Sequence, residues 1–179
     1  QLPKSAIQEL RKIYEYAKQE KNVSQMMKAH LTRASLCIDI TPDSLDSELS
    51  ALKAWMEEEK DTVYQAILNN LLGYYILDTG KKDETAIDTA IAYFQRSLQD
   101  KEILFRKSAV DYRPMTNSKE LSEKYCGDNM YQLLARQAIS RLSGYFIANP
   151  VSAEKIQTEI LSIYDGLIDF YRQQGMTDA

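Results

Sequence analysis

The chain has 179 residues, enough to bury about 70% of the surface its unfolded form would expose, so it needs neither a disulfide nor a metal to hold a core. Hydrophobic residues at 44% and charged residues at 27% exclude a disordered chain, and a net charge of −4 leaves no basic footprint for nucleic acid or an anionic membrane. No apolar run approaches the ~20 residues that span a bilayer, the nearest being Leu71 to Leu77, so the chain reads as not membrane-embedded.

Six glycines and four prolines, against abundant Ala, Leu, Lys, Glu and Gln, tilt the class toward helix. The first predicted helix runs from Lys4 or Ser5 to Lys18, with Ala6, Leu10, Ile13 and Ala17 on its inner face. Lys21 and Asn22 end it, and Ser24 is expected to cap a second helix reaching Asp39 with Met27, Leu31, Ala34 and Cys37 or Ile38 inward. Thr41-Pro42-Asp43 is a start signal for a third, whose apolar face is Leu45, Leu49, Leu52 and Met56 with Trp55 beside it. The acidic cluster Glu57 to Asp61 separates it from Val63 to Leu77, whose polar or small interruptions are Gln65, Asn69, Asn70 and Gly73. A helix apolar around so much of its circumference needs neighbours on two or more sides, which makes this the expected central helix. Leu71 is expected where two layers meet, and the line Gln65-Asn69-Gly73 is expected to be a close crossing at Gly73 or a thin exposed edge.

Asp78 to Asp83 reads as a loop with Gly80 as C-cap, followed by a helix from Glu84 or Thr85 with Ile87, Ala90 or Ile91, Phe94 and Leu98 inward. Asp100 to Arg106 reads as a short helix. Residues 107–127 then form a long loop, because Pro114 bars helical geometry at Arg113 and Thr116 to Ser118 and Gly127 have loop character. Asp128 is expected to cap a helix lined by Met130, Leu134, Ala138 or Arg141, Leu142 and Tyr145; Asn149-Pro150 breaks it. Ser152 is expected to cap the last helix, with a wide stripe of Ile156, Ile160, Ile163 or Tyr164, Leu167, and Phe170 or Tyr171 before Gly175. The whole is expected to be one all-α domain over residues 1–179, with about seven long helices and a short one. Short turns between them imply antiparallel hairpins in an irregular, tetratricopeptide-like α-solenoid.

Catalytic chemistry finds little to build on. His30 is the one histidine, near the polar boundary of its helix, so a histidine metal site or a Ser-His triad would have to be built on it alone. There is no GxGxxG, P-loop, HExxH or GxSxG. Glu57, Glu58, Glu59 and Asp61 are paired carboxylates in name, but their consecutive placement is that of a solvated turn. Cys37 and Cys126 are far apart with no metal-ligand spacing, and neither length nor core calls for a bond between them. No catalytic residue, metal or cofactor is expected.

Two surface readings stay open. Arg106, Lys107, Arg113 and Lys119 form a modest basic spot in the long loop and, with Tyr112, are the best local candidates for contact with a partner. Among the twelve tyrosines, Tyr74, Tyr75, Tyr112, Tyr125 and Tyr131 could stack on sugar rings, though helix packing explains Tyr74 and Tyr75 better.

Leu2 to Ala34, Val63 to Leu77, and Asp111-Tyr112-Arg113-Pro114-Met115 with Asp128 to Leu142 resemble, in that order, the N-terminal helical region of large bacterial alpha-2-macroglobulin-like proteins, and Tyr164 to Gly175 is also similar. The resemblance implies a fragment of a larger secreted or lipid-anchored chain, periplasmic or surface-exposed, with macroglobulin β-domains downstream. With no initiator Met or leader at Gln1, any signal or anchor segment is expected to lie outside this sequence. The implied role is a non-catalytic accessory module of a protease-trapping protein, its partners being downstream domains of the same chain or another protein. The thioester of such proteins joins a Cys to a Gln three residues later. Cys126-Gly127-Asp128-Asn129 resembles its opening, but Asn129 is one methylene short, so an ordinary loop cysteine is expected. The alternative is a glycan-binding, tetratricopeptide-like domain of an outer-membrane lipoprotein.

Overall fold

A computed structural model describes residues 2–40, 45–79, 83–109, 111–112, 128–149 and 152–175. Among them are eight α-helices and no strand: α1 (Leu2–Gln19), α2 (Val23–Ile40), α3 (Leu45–Glu58), α4 (Thr62–Thr79), α5 (Glu84–Leu98), α6 (Lys101–Phe105), α7 (Met130–Ala148) and α8 (Ala153–Gln173). The all-α class is therefore as the sequence reads. By contact density the chain divides into two units, Gln1–Glu58 with Ser108–Gly127, and Glu59–Lys107 with Asp128–Ala179. The Thr41-Pro42-Asp43 start signal, the Gly80 cap and the Arg113-Pro114 break lie outside the described residues.

In the first unit α1 and α2 make a hairpin. Lys21 turns the chain in left-handed geometry (φ 53°), and the Asn22 N–H donates back to the Ala17 carbonyl at 2.8 Å. The cap of α2 is Asn22 rather than Ser24, because the Asn22 Oδ1 accepts from the Gln25 N–H at 3.1 Å. The buried face of α1 also differs from expectation: Ile7 and Ala17 are buried while Ile13 is 47% exposed. Both registers satisfy a 4-3 apolar spacing. Tyr14 decides between them, since its ring packs within 6.0 Å of Trp55 and 6.5 Å of His30 and so turns the Ile7–Tyr14 face inward. Met27, Ala34 and Cys37 of α2 are buried as expected, and Leu52 of α3 is fully so.

The second unit is built on α4, which packs against α5, α6 and α7. Its start is set by the acidic cluster that reads in sequence as a solvated spacer. Asp61 Oδ1 accepts from the N–H groups of Val63 and Tyr64 at 2.9 and 3.0 Å, and Glu59 Oε1 accepts from those of Lys60 and Asp61. Leu68 and Leu72 are wholly buried, each worth about 1.5–3 kcal/mol of apolar transfer. Leu71 is only half-buried, so the layer contact belongs to its neighbours and not to Leu71. Of the two expectations for the Gln65-Asn69-Gly73 line, the close crossing holds: a Cβ on Gly73 would sit 2.9 Å from the Phe94 ring and 3.1 Å from the Ala90 carbonyl of α5. Side chains tie the layers by polar contacts as well, Asn70 Nδ2 donating to the Leu134 carbonyl and Ser97 Oγ to the Ala66 carbonyl.

Helix starts in this unit differ from expectation at two points. α7 is capped by Asn129, not Asp128: Asn129 Oδ1 accepts from the Gln132 N–H while Gln132 Oε1 accepts from the Asn129 N–H. Asp128 instead holds Arg136. Ser152 does precede α8, but in left-handed geometry (φ 58°) with its buried hydroxyl unbonded, so it caps by position and not by chemistry. The inner face of α7 is as expected, with Met130, Leu134, Ala138, Leu142 and Tyr145 buried and Arg141 exposed.

Candidate functional site

The five candidate contact residues, the four of the basic spot and Tyr112, do not form one described surface. Arg106 and Lys107 are exposed just after α6, Tyr112 is half-buried in the first unit, and Arg113 and Lys119 lie outside the described residues. The tyrosines proposed for sugar stacking fare similarly. Tyr75 and Tyr131 are buried, the latter between Phe105 of α6 and Gly166 of α8; Tyr125 lies outside the described residues. Tyr74 is half-buried rather than a core ring, and the Arg141 guanidinium covers one face at 3.9 Å.

A buried polar cluster lies in the first unit. His30, expected at a polar boundary, is 1% exposed and sits between the rings of Tyr14 and Trp55. Burial pushes its pKa down to about 4, helped by the Arg33 charge, and its Nε2 has no hydrogen-bond partner. Arg33, itself buried, donates through Nε to Glu48 Oε2 at 2.5 Å and stacks over Tyr14 at 5.3 Å. Arg11 approaches Glu48 from α1 at 3.8 Å. The cluster joins side chains of α1 (Arg11, Tyr14), α2 (His30, Arg33) and α3 (Glu48, Trp55) in one buried contact. Cys37 is a buried free thiol; Cys126 lies outside the described residues. No group of three or more His, Cys, Asp or Glu is placed to hold a metal among the described residues. Nor, among them, is any helix long and apolar enough to cross a membrane.

The second unit presents two surface grooves that adjoin along α7 and share Ser140. Between α7 and α8 runs a mostly apolar groove of ≈ 420 Å³, lined by Arg136, Ile139, Ser140, Tyr164, Leu167, Ile168 and Tyr171. Beside it α8 exposes a stripe at Leu161 (64%), Tyr164 (47%) and Ile168 (40%). That i, i+3, i+7 spacing puts the three on one face, while Ile156, Ile163 and Leu167 fill the buried face. α8 is thus apolar on two sides. The stripe read from the sequence is mainly the buried face; Leu161 and Ile168 of the outer face are not part of it, and Tyr164 enters only as an alternative to Ile163.

Next to the α7–α8 groove, between the C-terminal turn of α4 and α7, lies a smaller groove of ≈ 230 Å³ lined by Tyr74, Leu77, Asp78, Arg141, Gly144 and Asn149 among others. Neither groove was visible as a motif, because their residues come from helices about 70 or 25 positions apart.

No protein-family model, curated protein or solved structure matches the chain. The two grooves along α7 therefore stand on their own residues.

Proposed function

We propose that this chain is a non-catalytic helical accessory module that works by protein–protein contact, and that the Leu161–Tyr164–Ile168 face of α8 with its adjoining groove is the contact surface. The supporting observation is that exposed stripe. Scattered exposed apolar residues need no explanation, but three on one helical face beside a groove lined by Ile139, Leu167 and Tyr171 are what an interdomain or partner surface looks like. Its occupant on this reading is a flanking domain of the same polypeptide. Packing of such a helix layer against the next is also what an irregular α-solenoid would require.

The setting proposed for it is the one the sequence resemblance implies: an accessory domain of a bacterial alpha-2-macroglobulin-like, protease-trapping protein, periplasmic or at the cell surface. Support comes from the ordered segments Leu2 to Ala34, Val63 to Leu77 and Asp128 to Leu142. The glycan-binding alternative is weaker, because Tyr131 is buried and Tyr74 already carries Arg141 on its ring.

A photo-reactive residue placed at Leu161 or at Ile168 in the full-length gene product tests the surface. A cross-link from both sites to one defined segment of the same polypeptide, absent from a control site at the exposed Gln8, is expected. Cross-links to water alone, or the same yield from Gln8, overturn the assignment. A gene product without β-rich domains after this region would overturn the setting while leaving the surface intact.

A further inference from the structure

The groove between α4 and α7 has features that helix packing does not explain. Gly144 sits in the interior of α7, where glycine costs about 1 kcal/mol relative to alanine. The glycines at 73 and 166 are accounted for, since a Cβ there would strike Phe94 or the Tyr131 hydroxyl. A Cβ on Gly144 would meet nothing within 4 Å, so no neighbour demands the glycine, and what its missing side chain leaves open is the groove it lines.

The walls carry opposite charges. Arg141 lies with its guanidinium carbon 3.9 Å over the Tyr74 ring centroid, and a cation placed over one ring keeps N–H donors for a further ligand. No carboxylate among the described residues is within ion-pair distance of it. Asp78, exposed in the last turn of α4, stands on the same groove with no ion pair among the described residues. The last turns of α4 and α7 both border it, and the C-terminal end of a helix favours positive charge nearby. Leu77 and Ala148 supply apolar wall.

From this arrangement we infer a binding site for a small zwitterion of amino-acid type, its carboxylate on Arg141, its ammonium on Asp78, and a short aliphatic part against Leu77 and Ala148. The ≈ 230 Å³ of space suits one such molecule and not a folded partner. Ser140 borders both grooves, but Asp78, Arg141 and Gly144 line only this one, so the inference does not rest on the α8 face. A neutral sugar is the poorer occupant, because the ring face it would stack on is taken by Arg141.

The test is an amide-shift NMR titration of the whole chain with L-leucine, L-leucinamide, which lacks the carboxylate, 4-methylpentanoate, which lacks the ammonium, and glucose. Saturable shifts confined to residues 74–78 and 140–149 are expected with L-leucine, and binding about tenfold weaker or more with each truncated analogue, as loss of one charged hydrogen-bonded contact implies. Gly144→Leu, a better helix former with open space for its Cβ, is expected to melt no lower than the parent yet to lose the leucine shifts. Arg141→Gln is expected to lose discrimination between L-leucine and L-leucinamide. No saturable shift with L-leucine, equal binding of L-leucine and its two truncated analogues, tighter binding of glucose, or undiminished binding by Gly144→Leu would each overturn the inference.

Discussion

Lowering the pH from 7 to 5 should unlock the first unit through His30. The group's pKa is about 4 in the folded protein against 6.5 for a free side chain, a difference of 2.5 that corresponds to about 3 kcal/mol at 1.36 kcal/mol per unit. The direction follows from which state takes the proton first. Above pH 6.5 His30 is neutral both folded and unfolded, and it contributes no pH dependence. Between pH 6.5 and 4 the unfolded chain binds the proton and the folded one does not, so stability falls with pH at up to 1.36 kcal/mol per unit and levels off below about pH 4. About 2 kcal/mol of the loss is expected between pH 7 and pH 5. The charged neighbours are Arg33, which opposes protonation, Glu48, whose Oε2 lies 4.0 Å from Nδ1, and Arg11 beyond it; the half-buried Tyr14 stays neutral throughout this range. Trp55 is the only tryptophan and its ring centroid is 6.4 Å from that of His30, so its fluorescence in urea titrations reports this unit directly. His30→Leu should remove the wild-type loss between pH 7 and pH 5. Parallel pH profiles for wild type and His30→Leu would show that the histidine is not sealed as described.

Glu48→Ala leaves the buried Arg33 without its carboxylate and should cost about 3–5 kcal/mol by the same fluorescence assay; a cost under about 1 kcal/mol would mean the pair is solvated. Gly166→Ala should destabilise the second unit by about 1–3 kcal/mol, because its Cβ would fall 2.1 Å from the Tyr131 hydroxyl. Adding Tyr131→Phe should recover much of that loss in a thermal-melt double-mutant cycle, and strict additivity would refute the clash. Glu159 on α8 is buried with its pKa raised by desolvation, against the hydrogen bond from Gln95 that lowers it. Its folded pKa exceeds the unfolded one, so ionisation disfavours the fold at neutral pH and the penalty disappears as pH falls. Glu159→Gln should therefore raise the melting temperature at pH 7 and do so less at pH 4; equal gains at both would point to a cause other than charge.

Helix count, order and most inner faces were legible because they follow from apolar spacing over many residues, as in α4 and α7. Caps were misread where two candidates adjoin: Asn129 beside Asp128, and Asn22 two before Ser24, are separated only by which side chain meets the N–H three residues on. Asp61 was hidden inside a run of acids that resembles a solvated turn. The face of α1 turned on one ring, Tyr14, and the burial of His30 and Glu48 on partners from other helices, neither of which periodicity encodes. The same limit applies to the grooves. Gly144 carried a readable sign, a helix-interior glycine, but what it opens onto depends on α4, about 70 residues earlier.

The claim that α8 is a contact surface is tested most directly by hydrogen–deuterium exchange of residues 157–171 in two settings, the isolated 179-residue chain and the same segment within the full-length gene product. The outer-face amides around Leu161, Tyr164 and Ile168 are expected to exchange several-fold more slowly in the full-length protein, with α1 amides around Gln8 unchanged. Identical exchange of the segment in both settings would contradict the account.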